Sequence, residues 1–219
     1  MHLAILKRVG VVLIVVGLID IAVMVYSVAS GVSYSSSFNI FAVVAGIFLL
    51  RGSLRAASII RLFATFLLTI FVLVPLVVLL LQPFDLTVTQ MRLEPVTFLT
   101  AAVTLVVVIA LLLWVVRELG RESVQTAFSN AGLKKRDMRN PAATGIALVV
   151  IVVGILFVML NGKYRQVAET LAEQQLGPGY QFHLSSISTV STGTGKSVSA
   201  IVTAWNDHEI RKISLHWNE

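Results

Sequence analysis

The residues able to do chemistry are few and lie far apart. Asp20 is the acidic residue inside the first long apolar run, and Thr69 and Thr104 are hydroxyl-bearing residues inside two others. A charged side chain at the bilayer centre costs about 3 kcal/mol or more, so such residues often mark ion or proton paths. Asp20 with Thr69 and Thr104 is therefore the candidate intramembrane polar site. A protonated Asp20 hydrogen-bonded to Thr69, Thr104 or a backbone carbonyl, serving packing, explains the same residues. His183, His208 and His216 stand in the C-terminal polar stretch with Asp207 and Glu209 nearby. Two histidines and a carboxylate can hold zinc if strands bring them together. The pattern requires no such convergence, and neither a metal nor another cofactor is expected.

The segment Gly193-Thr194-Gly195-Lys196-Ser197 has the ending of a phosphate loop. That loop needs a glycine five positions before Gly195, where Val190 stands, and it must lead from a strand into a helix. A turn between two strands is the expectation here. The serines of this region lack a glycine-flanked nucleophile elbow. No catalytic residue is assigned, and a non-enzymatic protein is expected.

The elements that would position these residues are set by composition. Hydrophobic residues make up 57% of the 219 and charged residues only 13%, against roughly 25% charged in soluble domains. Apolar runs of about 20 residues match the bilayer core. The chain is expected to be an α-helical integral membrane protein. Its net charge of +6 lies beside apolar runs, so anionic lipid headgroups, not nucleic acid, are the expected counterpart. There is no cysteine, which excludes disulfides and thiolate metal sites.

Five crossing helices are predicted, at about 9–30, 38–54, 59–81, 96–116 and 142–160. The first could be a cleaved signal ending near Val28-Ala29-Ser30, but its length and internal Asp20 favour retention. Pro75 should kink the third helix. Residues 82–94 read as a loop, and Pro95 suits the first turn of the fourth helix. Trp114 suits an interfacial anchor near the end of that helix. In the connection 117–140, Val124, Phe128 and Ala131 recur at helical spacing, and Gly132 can end that helix. A short amphipathic helix lying on the membrane surface is expected there. Asn140-Pro141 reads as the cap and first position of the fifth helix.

Basic residues set orientation. Lys7, Arg8, Arg51, Arg55, Arg61, Arg117, Arg121, Lys134, Lys135, Arg136 and Arg139 fall on one side if five helices alternate, and Arg92 falls on the other. The N-terminus is then cytoplasmic and the C-terminal stretch extracytoplasmic, most naturally in a bacterial inner membrane. Arg51, Arg55, Arg61, Lys134, Lys135 and Arg136 form a cytoplasmic girdle facing lipid headgroups.

Residues 1–160 thus form a transmembrane body and 161–219 a small α+β head. Tyr164, Val167, Ala168 and Leu171 make a helical stripe ended by Gly177-Pro178-Gly179. Strands follow at 180–190, 197–205 and 209–217, with turns at 191–196 and 206–208. A helix plus a three-stranded antiparallel sheet is the expected head. So small a domain is marginal alone and should lean on the body or on a partner. Trp205, Ile213, Leu215 and Trp217 are its candidate partner-binding residues. The expected function is an accessory, assembly or scaffold protein that binds a membrane or periplasmic protein, or a second copy of itself. A small transporter or channel component using Asp20, and a membrane-embedded lipid-handling enzyme, are the alternatives.

Overall fold

The computed structural model describes residues 2–31, 39–133, 137–160, 162–192 and 195–218. It is mostly helical, with a small antiparallel sheet at the C-terminal end. The helices are α1 (His2–Ala29), α2 (Asn39–Leu50), α3 (Leu54–Leu81), α4 (Phe84–Leu93), α5 (Pro95–Leu119), α6 (Glu122–Asn130), α7 (Arg139–Leu160) and α8 (Lys163–Leu176). The strands are β1 (Gln181–Thr192), β2 (Gly195–Trp205) and β3 (Ile210–Asn218). Among the described residues four helices, α1, α3, α5 and α7, are long and apolar enough to cross a membrane. At 1.5 Å per residue they are about 33–42 Å long. The apolar helix α2 has 12 residues, about 18 Å, which is less than a bilayer core.

Three expected boundaries move for identifiable reasons. The second helix stops at Leu50, not 54, because Gly52 takes φ +73. There the Gly52 and Ser53 N–H groups return to the Leu49 and Phe48 carbonyls at 2.9 and 3.2 Å. This is a Schellman end. Ser53 then caps α3, its Oγ accepting the Ala56 N–H at 3.3 Å, so α3 begins five residues earlier than residue 59. The cap of α7 likewise lies upstream of Asn140. Asp137 Oδ1 accepts the Arg139 N–H at 2.9 Å, and Pro141 sits within the first turn, where a missing N–H leaves no bond unmade.

The expected loop at 82–94 is largely a helix, α4. Its amphipathic character is hidden in a stretch too short to show a period. Asp85 in the first turn and Arg92 in the last complement the helix dipole.

The chain divides into two compact units, Met1–Ile70 with Val108–Gly145, and Phe71–Val107 with Ile146–Glu219. The helices α3, α5 and α7 contribute to both. In the first unit α1 and α2 pack antiparallel. A Cβ on Gly46 would lie 2.6 Å from the Gly10 carbonyl oxygen, and one on Gly52 would lie 2.9 Å from Leu3. The chain therefore returns at Gly52 to the level where it began. Leu6, Val9, Leu49, Val115, Leu119 and Val124 are almost wholly buried in this unit. The helix α6 packs on α1, with Val124 and Phe128 buried. Its apolar face thus meets protein through these two residues. Ala131 is exposed, and Gly132 at φ +66 ends the helix as expected. Arg8 lies over the Trp114 ring, 5.8 Å from its centre.

In the second unit the sheet has the order β1-β2-β3, both pairs antiparallel. Helix α8 covers one face through Ala168 and Ala172, which meet Leu184, Ala200, Val202 and Leu215 in a closed core. The buried stripe of α8 is rotated from the expected one: Val167 is 42% exposed and Ala172 is buried. Two alanines allow the helix axis to approach the sheet more closely than valine would. Gly177 at φ +82 ends α8 as expected. The helix α4 meets β3, and its Leu86 is buried. The β2–β3 turn is built on Asn206, whose Oδ1 accepts the His208 and Glu209 N–H groups, both at 2.9 Å. The Tyr180 hydroxyl donates to Glu209, and Arg211 Nε donates to the same carboxylate at 2.9 Å.

Candidate functional site

A cleft of about 530 Å³ opens in the second unit, with two chemically different ends. Val78 and Leu81 from α3, with Leu156, Phe157 and Leu160 from α7, form the apolar end. The polar end comes from the sheet. Strand register places His183 opposite Thr203, and Thr203 opposite Lys212. These three residues form a row across all three strands and line the cleft. Side chains alternate between faces along a strand, so the row lies opposite the face that α8 covers.

The register that makes this row shifts between Leu184 and Ser186. The shifted strand leaves Ser185 Oγ 2.6 Å from Thr203 Oγ1. Thr203 is buried, and this contact satisfies its hydroxyl. Arg165, on α8, also lines the cleft and pairs with Glu169 at 2.8 Å, an i,i+4 pair. Burial pushes His183 below its ordinary histidine value, the Arg165 charge adds to this, and Glu169 opposes it. His183 is therefore a neutral imidazole at pH 7. Lys212 is exposed and has no ion-pair partner among the described residues. The cleft thus combines a neutral hydrogen-bonding ring, a buried hydroxyl and two cations with an apolar wall.

The histidines do not converge. His183 lies opposite Thr203 and His216 opposite Ser199. Two inter-strand spacings and four residues of strand length separate them by about 16 Å. His208 stands in the β2–β3 turn. No cluster of three metal-binding side chains occurs among the described residues. Gly195-Lys196-Ser197 opens β2 and not a helix, so this stretch cannot cradle a phosphate at a helix N-terminus. Residues 193 and 194 lie outside the described residues. Lys196 instead donates to the Tyr164 hydroxyl at 2.6 Å, and the Tyr164 ring meets Trp217 at 6.4 Å.

Of the intramembrane candidates, Asp20 is half-buried on α1, in the first unit. Thr69 is in the same unit, and its hydroxyl donates to the Thr65 carbonyl at 3.0 Å. Thr65 does the same to Arg61 at 2.9 Å. These i−4 bonds are the common way for a helix to satisfy hydroxyls internally. Thr104 is exposed and belongs to the second unit.

Arg51 and Arg55 are exposed, and Arg61 is half-buried. Gly120 makes room for the Arg61 guanidinium, which would lie 2.9 Å from a Cβ there. Lys134, Lys135 and Arg136 lie outside the described residues. Trp205 and Leu215 are buried. Ile213 and Trp217 are half-buried and pack on the core of the head. Leu215, Ile213 and Trp217 thus belong to the core under α8, while Trp205 on β2 is buried outside that cluster; strand alternation alone could not tell the depth of each.

Sequence reasoning missed the His183–Thr203–Lys212 row. Strand pairing creates it, and no local spacing carries it. The β-strand runs were legible, but their register depends on one irregularity at Ser185. No protein family, curated protein or solved structure matches the chain.

Proposed function

We propose that this protein is a non-enzymatic accessory, assembly or scaffold subunit of a membrane that offers its small sheet to a protein partner. The observation carrying this reading is the edge strand β1. It is 12 residues long (QFHLSSISTVST), without lysine, arginine, acid or proline. Among the described residues no strand pairs with its outer side. Proteins blunt such edges with charge, proline, bulges or a covering element, and an unblunted edge accepts a strand from another chain. The β1 edge has one irregularity, at Ser185. The opposite edge, β3, carries Arg211 and Lys212 and meets α4.

Five crossings, with the N-terminus cytoplasmic and the sheet outside, complete the proposal; a bacterial inner membrane is the natural setting. The return of Gly52 to Leu3 supports the count, because α2 restores the chain to its starting level although it is short. The contact between α4 and β3 supports α5 and α7 both crossing, since two passes return the chain to the side of the connection between α3 and α5. The imbalance of basic residues supports the polarity. A catalytic reading gains nothing from Ser185, whose hydroxyl is engaged with Thr203.

The test is affinity capture of the full chain in mild detergent, followed by mass spectrometry. A stoichiometric protein partner is expected, and its loss in the double variant Ser188→Lys/Thr189→Lys. Both residues are exposed and lie outside the cleft, so the core is left intact. Recovery of the protein alone, or equal capture by the variant, overturns the edge-strand reading.

A further inference from the structure

We propose that the cleft of the second unit binds one anionic phospholipid, its phosphate at the His183–Thr203–Lys212 row and its acyl chains along the ends of α3 and α7. The inference is independent of the protein-partner reading, since it concerns a sheet face and not the β1 edge.

Three observations fix the occupant. Charge comes first: Glu169 neutralises Arg165 in part, so Lys212 is the surplus cation, and its ammonium group suits a phosphate. His183 adds a hydrogen-bonding ring on the same row. Continuity is second. The apolar end is made by helices that are themselves long enough to cross a membrane, and Val78 and Phe157 are about half exposed, at 49% and 54%. A chain leaving the cleft there remains on an apolar helix surface. Size is third. About 530 Å³ falls among small-molecule sites of roughly 300–1,000 Å³. It suits a headgroup with its glycerol and first methylenes, while the rest of the tails lies outside. A soluble anion would leave the apolar wall facing water, an uncharged glyceride would leave Lys212 without a counter-charge, and the choline cation of a zwitterionic lipid would be repelled by Arg165 and Lys212.

The experiment is native mass spectrometry of the full-length protein in a neutral detergent, titrated with phosphatidylglycerol or phosphatidylcholine. One phosphatidylglycerol should be retained about tenfold more tightly than phosphatidylcholine, as one charge-assisted contact allows. Lys212→Glu should remove that preference, and Lys212→Arg should keep it. Arg55→Glu, in the first unit, should leave it unchanged. Millimolar inorganic phosphate should not displace the lipid. Leu81→Trp, which fills the apolar end, should weaken retention by a separate route and serves if Lys212→Glu is misfolded by near-UV circular dichroism. Equal retention of the two lipids, undiminished binding in a folded Lys212→Glu or Leu81→Trp protein, or displacement by inorganic phosphate overturns the proposal.

Discussion

A methyl group on Gly46 would stand 2.5 Å from Ile14 Cγ1 and 2.6 Å from the Gly10 carbonyl oxygen. The second neighbour is backbone and cannot rotate away. Gly46→Ala should therefore lower stability by about 1–3 kcal/mol, the usual range for overpacking, read as a lower thermal midpoint in detergent. Gly154 on α7 has open space around its Cβ direction. Gly154→Ala should leave the midpoint unchanged or raise it, by up to about 1 kcal/mol of helix propensity. At the same scale, acid should act through two groups. Glu209 is held below its ordinary value of 4.5, first by the hydrogen bond from Tyr180 and then by that from Arg211. His183 is held below 6.5 by burial. A depressed value means that the unfolded chain takes up the proton first, so stability is present above the ordinary value and is lost as pH falls. The head should lose stability in two steps, one below 6.5 and one below 4.5. His183→Gln should remove the upper step in a pH series followed by tryptophan fluorescence.

Among the elements, α4 shows what a single sequence conceals. Ten residues give fewer than three turns, and Phe84, Leu86 and Val88 alternate as a strand would. Only the end charges, Asp85 and Arg92, mark it as a helix. Leu86 is 2% exposed, so Leu86→Ala should destabilise the second unit by about 2–5 kcal/mol. Faster proteolysis of the C-terminal stretch would show this. The long helices were legible because each has many turns of uninterrupted apolar sequence, and the β-strands because β-branched and aromatic residues cluster between turn formers. The buried face of α8 was harder to read. Val167 looked like core by type, yet the sheet selects Ala172 because a small side chain permits closer approach. The candidate cleft was less legible still: no property of His183, Thr203 or Lys212 taken singly announces that strand pairing sets them side by side.

For the whole molecule, the absence of cysteine gives a background-free labelling experiment. Single cysteines at Ser129 and Ser186, both exposed, should react with a membrane-impermeant maleimide from opposite sides of sealed vesicles. A cysteine at Thr87 on α4 should behave like Ser186. Labelling of positions 129 and 186 from one side would reject a crossing by α7, and labelling of position 186 from the cytoplasmic side would reject the extracytoplasmic sheet. The hairpin of α1 and α2 has a consequence for how the protein is made. An element that leaves and comes back to its own level is a closed excursion, neutral in the alternation that orients every later segment. Excising residues 2–52 as one block should leave the disposition of everything downstream intact. Excising either arm alone should invert it, or trap the chain in a mixture of both insertions.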